Sequence, residues 1–445
     1  MLLDKVKVAI VLLIIILSGC KTSNEVIQTD KSYERSWESG ATEGFCEMVN
    51  YGVKELGLGV PLSPQEMDKF LPYAEKTAQR HNVSLYRETD LIDTDLFTRG
   101  IAKGRDVLLI HNGATLTKYM DLKADRQKLK ESGEYFGKAR EEIARRFGRL
   151  LSYTPRTINN QLVLHTDFRT MYHFGIKGSN LLLYYKDLTK ATRFYTEILG
   201  LDLVADNKDS KVVQMTDKSF LTLVDASSAP EYANEPKAVA LAFVTNQPAE
   251  WYEYLKEQNV EIKHKYKAVD GRPYHSFVIA DTEGYLLEFE RFNQHPQNED
   301  LIPILKNNEV IYPKTKSSDK LSLNSTITWL YYKDLLNMQN FYQDVLGLEM
   351  IVDQGWVKIY QSSETGFIGL VDEKRGMHNF SERKAVNISF IVDDLDGWYD
   401  YAKKNQVFEF ISTNADTDTQ NPIQSFRGAD PEEYHMRFVN GLKDK

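Results

Sequence analysis

The chain has 445 residues, more than one ordinary hydrophobic core organises, and its length points to about three domains. A composition of 42% hydrophobic, 11% aromatic and 27% charged residues is that of a soluble globular protein. The formal net charge of −9, with no long Lys/Arg run to offset it, excludes a general nucleic-acid binder.

The N-terminus begins with a basic patch, Lys5 and Lys7, followed by an unbroken apolar run over residues 8–17. That run is short for a membrane span and has the shape of a signal-peptide core. It ends in Leu17-Ser18-Gly19-Cys20, which resembles a bacterial lipobox. The resemblance implies a signal peptide over residues 1–19, cleavage before Cys20 and a lipid on its thiol. The expectation is a chain tethered to a lipid bilayer in the cell envelope. Lys21, with no Asp at that position, permits an outer-membrane or periplasmic-face destination. Residues 20–35 are polar and read as a tether. With Cys20 acylated, only Cys46 remains, so no internal disulfide is available. Cys46 lies among apolar residues and is expected to be a buried, inert thiol.

Residues 36–172 read as a mixed α/β region rich in helix. A helix is expected over 63–80, with Ser63 at its cap and Pro64 in its first turn. Residues 107–110 form a short strand candidate. Residues 124–151 carry Phe136, Ala139, Ile143, Phe147 and Leu150 at helical spacing and are expected to form one amphipathic helix. Its arginines 140, 145, 146 and 149 alternate with acids and read as a solvated face. Two acidic or mixed groups, Asp90/Asp93/Asp95 and His165/Asp167/His173, lack the spacing of a calcium loop or a transition-metal site.

A long internal repeat then dominates. Residues 183–204 read LYYKDLTKATRFYTEILGLDLV, and residues 330–351 read LYYKDLLNMQNFYQDVLGLEMI. Eleven of 22 positions are identical at an offset of 147. So long a period means two copies of a whole domain. In the first copy, Ala191, Phe194, Tyr195, Ile198 and Leu199 lie on one helix face, and Gly200 follows as its left-handed stop. Short strands flank that helix. A second round of strand, helix (248–258, with Trp251) and three strands follows. Each copy is therefore expected to hold two βαβββ modules: 176–293 for the first, 324–440 for the second. Residues 294–323, rich in Asn, Pro, Lys and Ser, read as a linker.

Four βαβββ modules with KDL, FY and LGL in two of them resemble the vicinal oxygen chelate superfamily of glyoxalases, bleomycin-resistance proteins and extradiol dioxygenases. The resemblance implies an α+β fold in which each module pair curls into a partly closed barrel around a pocket. It also implies a divalent metal held by His and Glu side chains, one at the start of each module's first strand and another on a last strand. In the first copy those positions carry Asn180, Thr222, Ala240 and Glu288. In the second they carry Ile327, Gly369, Asn387 and Arg437. Only Glu288 is a good metal ligand, and Arg437 puts a fixed positive charge where a cation would sit. No metal site is therefore expected; a metal centred on Glu288 is the alternative.

Glu288 and His275, should both point inward, are the one candidate acid/base pair. Asn180, Tyr184, Thr222, Ala240, Asn387 and Arg437 are the other candidate pocket residues, with Tyr331 and Trp329 as aromatic walls. Three functions stay open. The first and preferred is a metal-independent binder of a small molecule. The second is a lyase or dioxygenase centred on Glu288. The third is an envelope scaffold. A homodimer is compatible with each.

Overall fold

A computed structural model describes residues 36–441 except 99, 136, 318–319 and 414–423. The expected signal peptide, Cys20 and the expected tether lie outside the described residues. No helix among the described residues is long and apolar enough to cross a membrane. The chain divides into two compact units. One runs to Ser152 without Asp95–Thr98; those four residues join Tyr153 onward in the other.

In the first unit, strands β1 (Leu56–Leu58), β2 (Ser84–Glu88) and β3 (Val107–His111) form an antiparallel sheet in the order β1-β3-β2. The expected helix spans Pro64–Arg80. Ser63 and Glu66 close it with a reciprocal capping box that satisfies two of its orphan N–H groups. Met67, Phe70 and Ala74 recur at helical spacing and bury one face. Cys46 is fully buried against Val49, Ala78 and Ile110, and burial pushes its thiol up to about 11. The expected single helix over 124–151 is two helices, Thr115–Glu131 and Gly137–Leu150. Gly133 lies between them at φ +73°, a conformation that ends a right-handed helix. The arginine face also differs from the expectation. Arg145 is buried and bonds Glu141 at 2.8 Å; Arg146 and Arg149 make partly solvated pairs with Asp125 and Glu142.

The second unit contains the four βαβββ modules. The first module comprises β4 (Ile176–Tyr185), β5 (Asp202–Asp206), β6 (Ser210–Thr216) and β7 (Ser219–Asp225). The second comprises β8 (Val239–Val244), β9 (Ile262–His264), β10 (Tyr274–Ala280) and β11 (Leu286–Phe292). The third has β12 (Ser325–Tyr332), β13 (Glu349–Asp353), β14 (Val357–Gln361) and β15 (Gly366–Asp372). The fourth has β16 (Val386–Val392), β17 (Glu409–Thr413), β18 (Ser425–Ala429) and β19 (His435–Val439).

The repeated KDL motif has a local reason. Its aspartates, Asp187 and Asp334, are N-caps whose carboxylates accept from the backbone N–H of Lys190 and Asn337. Each short helix then widens into a π-helical turn, Phe194–Ile198 and Phe341–Val345. Gly200 ends the first at φ +71°, and a Cβ there would fall 2.5 Å from the backbone of Lys314. The segment between the copies is more than a linker. It holds a helix, Leu301–Asn307, with Leu301, Ile302 and Leu305 buried, and Ile311 pairs with Leu323. Its polar composition belongs to the exposed side; the apolar residues recur on one face.

The modules do not pair within each copy. One eight-stranded sheet runs β13-β14-β15-β12-β8-β11-β10-β9, which joins the second module to the third. The other runs β17-β18-β19-β16-β4-β7-β6-β5, which joins the fourth to the first. The junctions are antiparallel ladders, β12 on β8 and β16 on β4. Neither sheet closes on itself, so the expected barrels are two open eight-stranded sheets. Alternate residues of the opening strands, Leu181, Leu183 and Tyr185 on β4 and Leu330 and Tyr332 on β12, face one continuous core shared by both sheets. Residues between them face the other way, into the pockets.

The shared core contains a duplicated polar motif. The Tyr185 and Tyr195 hydroxyls both donate to Asp281, at 2.7 and 3.0 Å. Tyr332 and Tyr342 do the same to Asp430, at 2.6 and 3.5 Å. A second pair ties the copies together. The Tyr285 hydroxyl donates to the Ala385 carbonyl at 2.7 Å, and the Tyr434 hydroxyl donates to the Ala238 carbonyl at 2.7 Å.

Candidate ligand pockets

Each sheet carries a pocket on the face opposite the shared core, and these two pockets are built from equivalent positions. The pocket of the β12/β8 sheet has a volume of about 240 Å³ and is lined by Trp329, Tyr331, Trp356, Glu288 and Glu290, among others. That of the β16/β4 sheet is about 350 Å³ and is lined by Leu182, Tyr184, Asp209, Arg427 and Arg437, among others. Leu182, Tyr184 and Asp209 precede Trp329, Tyr331 and Trp356 by the repeat offset. Both of these pockets thus combine the first module of one copy with the second module of the other.

This exchange redistributes the candidate residues. Glu288 shares its pocket with Trp329 and Tyr331 of the second copy. Tyr184 and Thr222 share theirs with Asn387 and Arg437, whereas Asn180 lines a separate small cavity of about 20 Å³ with Thr222 and Arg437. Ala240 lines neither; it is fully buried in the apolar cluster and sits opposite Trp329 in the β8/β12 ladder. The ladders place Ala242, not Ala240, level with Glu288, and Ser389, not Asn387, level with Arg437. His275 and Glu288 do not come together. His275 pairs across the ladder with Arg291, whereas Glu288 pairs with Val278, so the two lie on opposite faces of the sheet. The His275 ring instead bonds the backbone of Val269, at 2.9 Å to its carbonyl. His173 is likewise structural, bonded to Thr170.

The β16/β4 pocket is polar, with Arg427 and Arg437 set among Asp209 and Glu231. Asn180 and Thr222 bond each other at 2.9 Å, and the Asn387 amide donates to the Tyr184 hydroxyl at 2.8 Å. Tyr184 stacks on Tyr232 with 4.3 Å between centroids, and Tyr232 bonds His435 at 2.8 Å. Burial, with Arg427 and Lys384 nearby, holds the His435 imidazole below its usual range.

The β12/β8 pocket is acidic and aromatic. Glu288 and Glu290 lie two residues apart on β11, on the same face. Burial raises the pKa of both carboxyls, and for Glu290 the charge of Glu288 adds to the rise. The Ser276 hydroxyl and the Trp329 indole N–H hold Glu288 partly down. That indole N–H nevertheless meets no acceptor at full hydrogen-bond geometry, and Glu290 Oε2 has no partner. Glu290 was missed in the sequence because attention fell on the family's ligand position; its place two residues along the same strand was the available signal.

The residues do not fit a resident divalent metal. Around Glu288 the superfamily's other ligand positions are Ala240, Ile327 and Gly369, and the equivalent place in the sister pocket is a guanidinium. No group of three or more His, Cys, Asp or Glu side chains among the described residues is arranged to hold a metal ion. That covers the Asp90/Asp93/Asp95 and His165/Asp167/His173 groups.

Residues 176–289 match the family model of the Glyoxalase/Bleomycin resistance protein/Dioxygenase superfamily. No curated protein matches the chain. Solved structures similar to it include glyoxalase I from Zea mays, 14% identical with a TM-score of 0.43, covering 61% of this chain and 94% of that one. A putative dioxygenase from Bacillus subtilis is 13% identical with a TM-score of 0.42, covering 60% of this chain and 84% of its own. A glyoxalase/bleomycin resistance protein/dioxygenase from Nocardioides is 22% identical with a TM-score of 0.25, covering 30% and 89%. Residues 176–289 are thus a member of the glyoxalase/bleomycin resistance/dioxygenase, or vicinal oxygen chelate, superfamily, and the internal repeat extends that fold to the second copy.

Proposed function

We propose that the four-module unit binds small molecules without a metal ion, and that a lipid on Cys20 holds it at the cell envelope. The observation that carries the binding reading is the pair of equivalent pockets. The superfamily's ligand positions carry Ala240, Ile327, Gly369 and Arg437 where metal ligands would stand, yet both pockets keep aromatic walls and convergent polar groups. The open cavities also favour binding over a scaffold role, for which filled sheets would suffice.

Metal analysis of the purified mature protein tests the reading. No stoichiometric Zn, Fe, Mn or Ni is expected. Stoichiometric metal that disappears in Glu288→Ala would overturn it in favour of a metal-dependent lyase or dioxygenase. Labelling with a radioactive fatty acid, lost in Cys20→Ala, is the expected result for the anchor; unlabelled native protein removes it.

A further inference from the structure

We propose that the Glu288/Glu290 pocket takes an organic cation, a substituted ammonium with an apolar body, held between the carboxyl pair and the aromatic walls. This rests on the binding reading above and names its ligand class.

The first argument is an unmatched charge. Glu290 is 2% exposed, its Oε2 has no hydrogen-bond partner, and the residue lines the cavity. The influences on the two carboxyls are burial, the Ser276 and Trp329 bonds on Glu288, and the Glu288 charge on Glu290. A buried carboxyl pair lacking a counter-charge keeps a proton instead. A ligand cation would supply the counter-charge and release that proton.

The second argument is the wall opposite. Trp329, Tyr331, Trp356 and Tyr274 line the same cavity. Aromatic faces attract ammonium groups, and more strongly where water is excluded. The chain already uses one face in this way: the Arg375 guanidinium stands 4.3 Å over the Trp356 ring. At about 240 Å³ the cavity exceeds the roughly 150 Å³ that admits benzene.

The third argument is the sister pocket. By strand register, Glu288 with Val278 opposite it corresponds to Arg437 with Arg427 opposite it. Duplication has left two pockets of one geometry with a carboxyl at this position in one and a guanidinium in the other, so a cation distinguishes them.

The charged and titratable groups facing the carboxyl pair are Tyr274 on β10, Tyr331 on β12, His264 on β9 and Arg375 beyond β15. Tyr274 and Tyr331 are raised by burial and stay neutral through neutral pH. Glu288 and Glu290 have folded pKa values above their free ones. A cation that needs them ionised therefore binds more tightly as pH rises.

The test is a fluorescence titration of the full chain with phenyltrimethylammonium and with its uncharged isostere tert-butylbenzene. The cation is expected to bind at least tenfold more tightly at pH 8, and at least tenfold more tightly at pH 8 than at pH 5. Glu290→Gln and Glu288→Gln should each weaken the cation tenfold or more and leave tert-butylbenzene within threefold. Glu253→Gln, at an exposed helix position that lines neither pocket, should leave both unchanged. Equal binding of the two probes, or a flat pH profile, overturns the cation class and leaves small-molecule binding standing. Binding of neither overturns the cation class and removes this pocket from the binding reading. Should one Gln variant not fold, the other and the pH profile still decide.

Discussion

The indole of Trp329 fills the space that a side chain at Gly369 would need: a Cβ on residue 369 would fall 2.0 Å from its Cε3. At the equivalent places in the first copy, Leu182 stands with Thr222. One strand pair has exchanged medium and small-polar for large and absent, and the Trp329 wall of the acidic pocket exists because of it. Gly369→Ala is expected to drive the indole off its site and to destabilise by about 1–3 kcal/mol, the usual cost of overpacking. The urea midpoint and the tryptophan emission should both shift. Adding Trp329→Leu should recover the midpoint; no recovery would mean that the clash is not the cause.

The Asp430 carboxyl, fully enclosed with Tyr332, gives a pH dependence. Burial raises it to about 6, against the opposing bonds from Tyr332 and from the backbone N–H groups of Tyr434 and Glu432. Its folded pKa lies above its unfolded one, so protonation favours folding. That contribution is complete below about pH 4 and is lost as pH rises through about 6. Asp430→Asn keeps an acceptor for the two backbone N–H groups and has no charge to bury. The variant should lose most of this group's share of the stability change between pH 4 and pH 6.5. Thermal melts across that range check it; an unchanged slope would show that Asp430 does not titrate there.

Tyr285 and Tyr434 bridge the copies through matched hydrogen bonds. Tyr285→Phe would leave the Tyr184 N–H and the Ala385 carbonyl without their buried partner, and Tyr434→Phe would do the same to the Tyr331 N–H and the Ala238 carbonyl. Each should cost about 1–3 kcal/mol by denaturant unfolding, since the packing is kept and only the bonds go. A loss below half a kcal/mol would place the bridging energy elsewhere.

The exchange of modules predicts the behaviour of a separated copy. Residues 176–293 alone would expose the β4 and β8 edges that β16 and β12 cover in the whole chain. Two such edges on one molecule can satisfy each other on a second, so the isolated copy is expected to form a two-fold dimer. Light scattering after gel filtration checks this. A stable monomer would mean that the modules of one copy can pair with each other.

Much of the local structure was legible. The Ser63 cap, the KDL aspartates, the helix face ending at Gly200 and the strand alternation all act through neighbours a few residues away. The missed break at Gly133 is of the same kind: a helical period continued on both sides of it and masked the stop. Glu288 was also legible, because strand alternation assigns it a face. Its partners were not. His275 stands at a plausible distance in sequence, and only the ladder register puts it on the opposite face.

The sequence by itself determined that this chain carries two copies of a two-module domain, and that the positions the resemblance assigns to metal ligands, Glu288 apart, carry other residues in both copies. Those facts follow from period, spacing and residue chemistry within each module. Only the tertiary structure decided that the modules exchange between copies, which sets Glu288 and Glu290 against Trp329 and Tyr331 and sets Asn180 and Tyr184 beside Asn387 and Arg437. Strand alternation fixes a face, but a strand edge offers the same backbone N–H and carbonyl groups to any partner, and the choice among partners is made by packing between segments far apart in the chain.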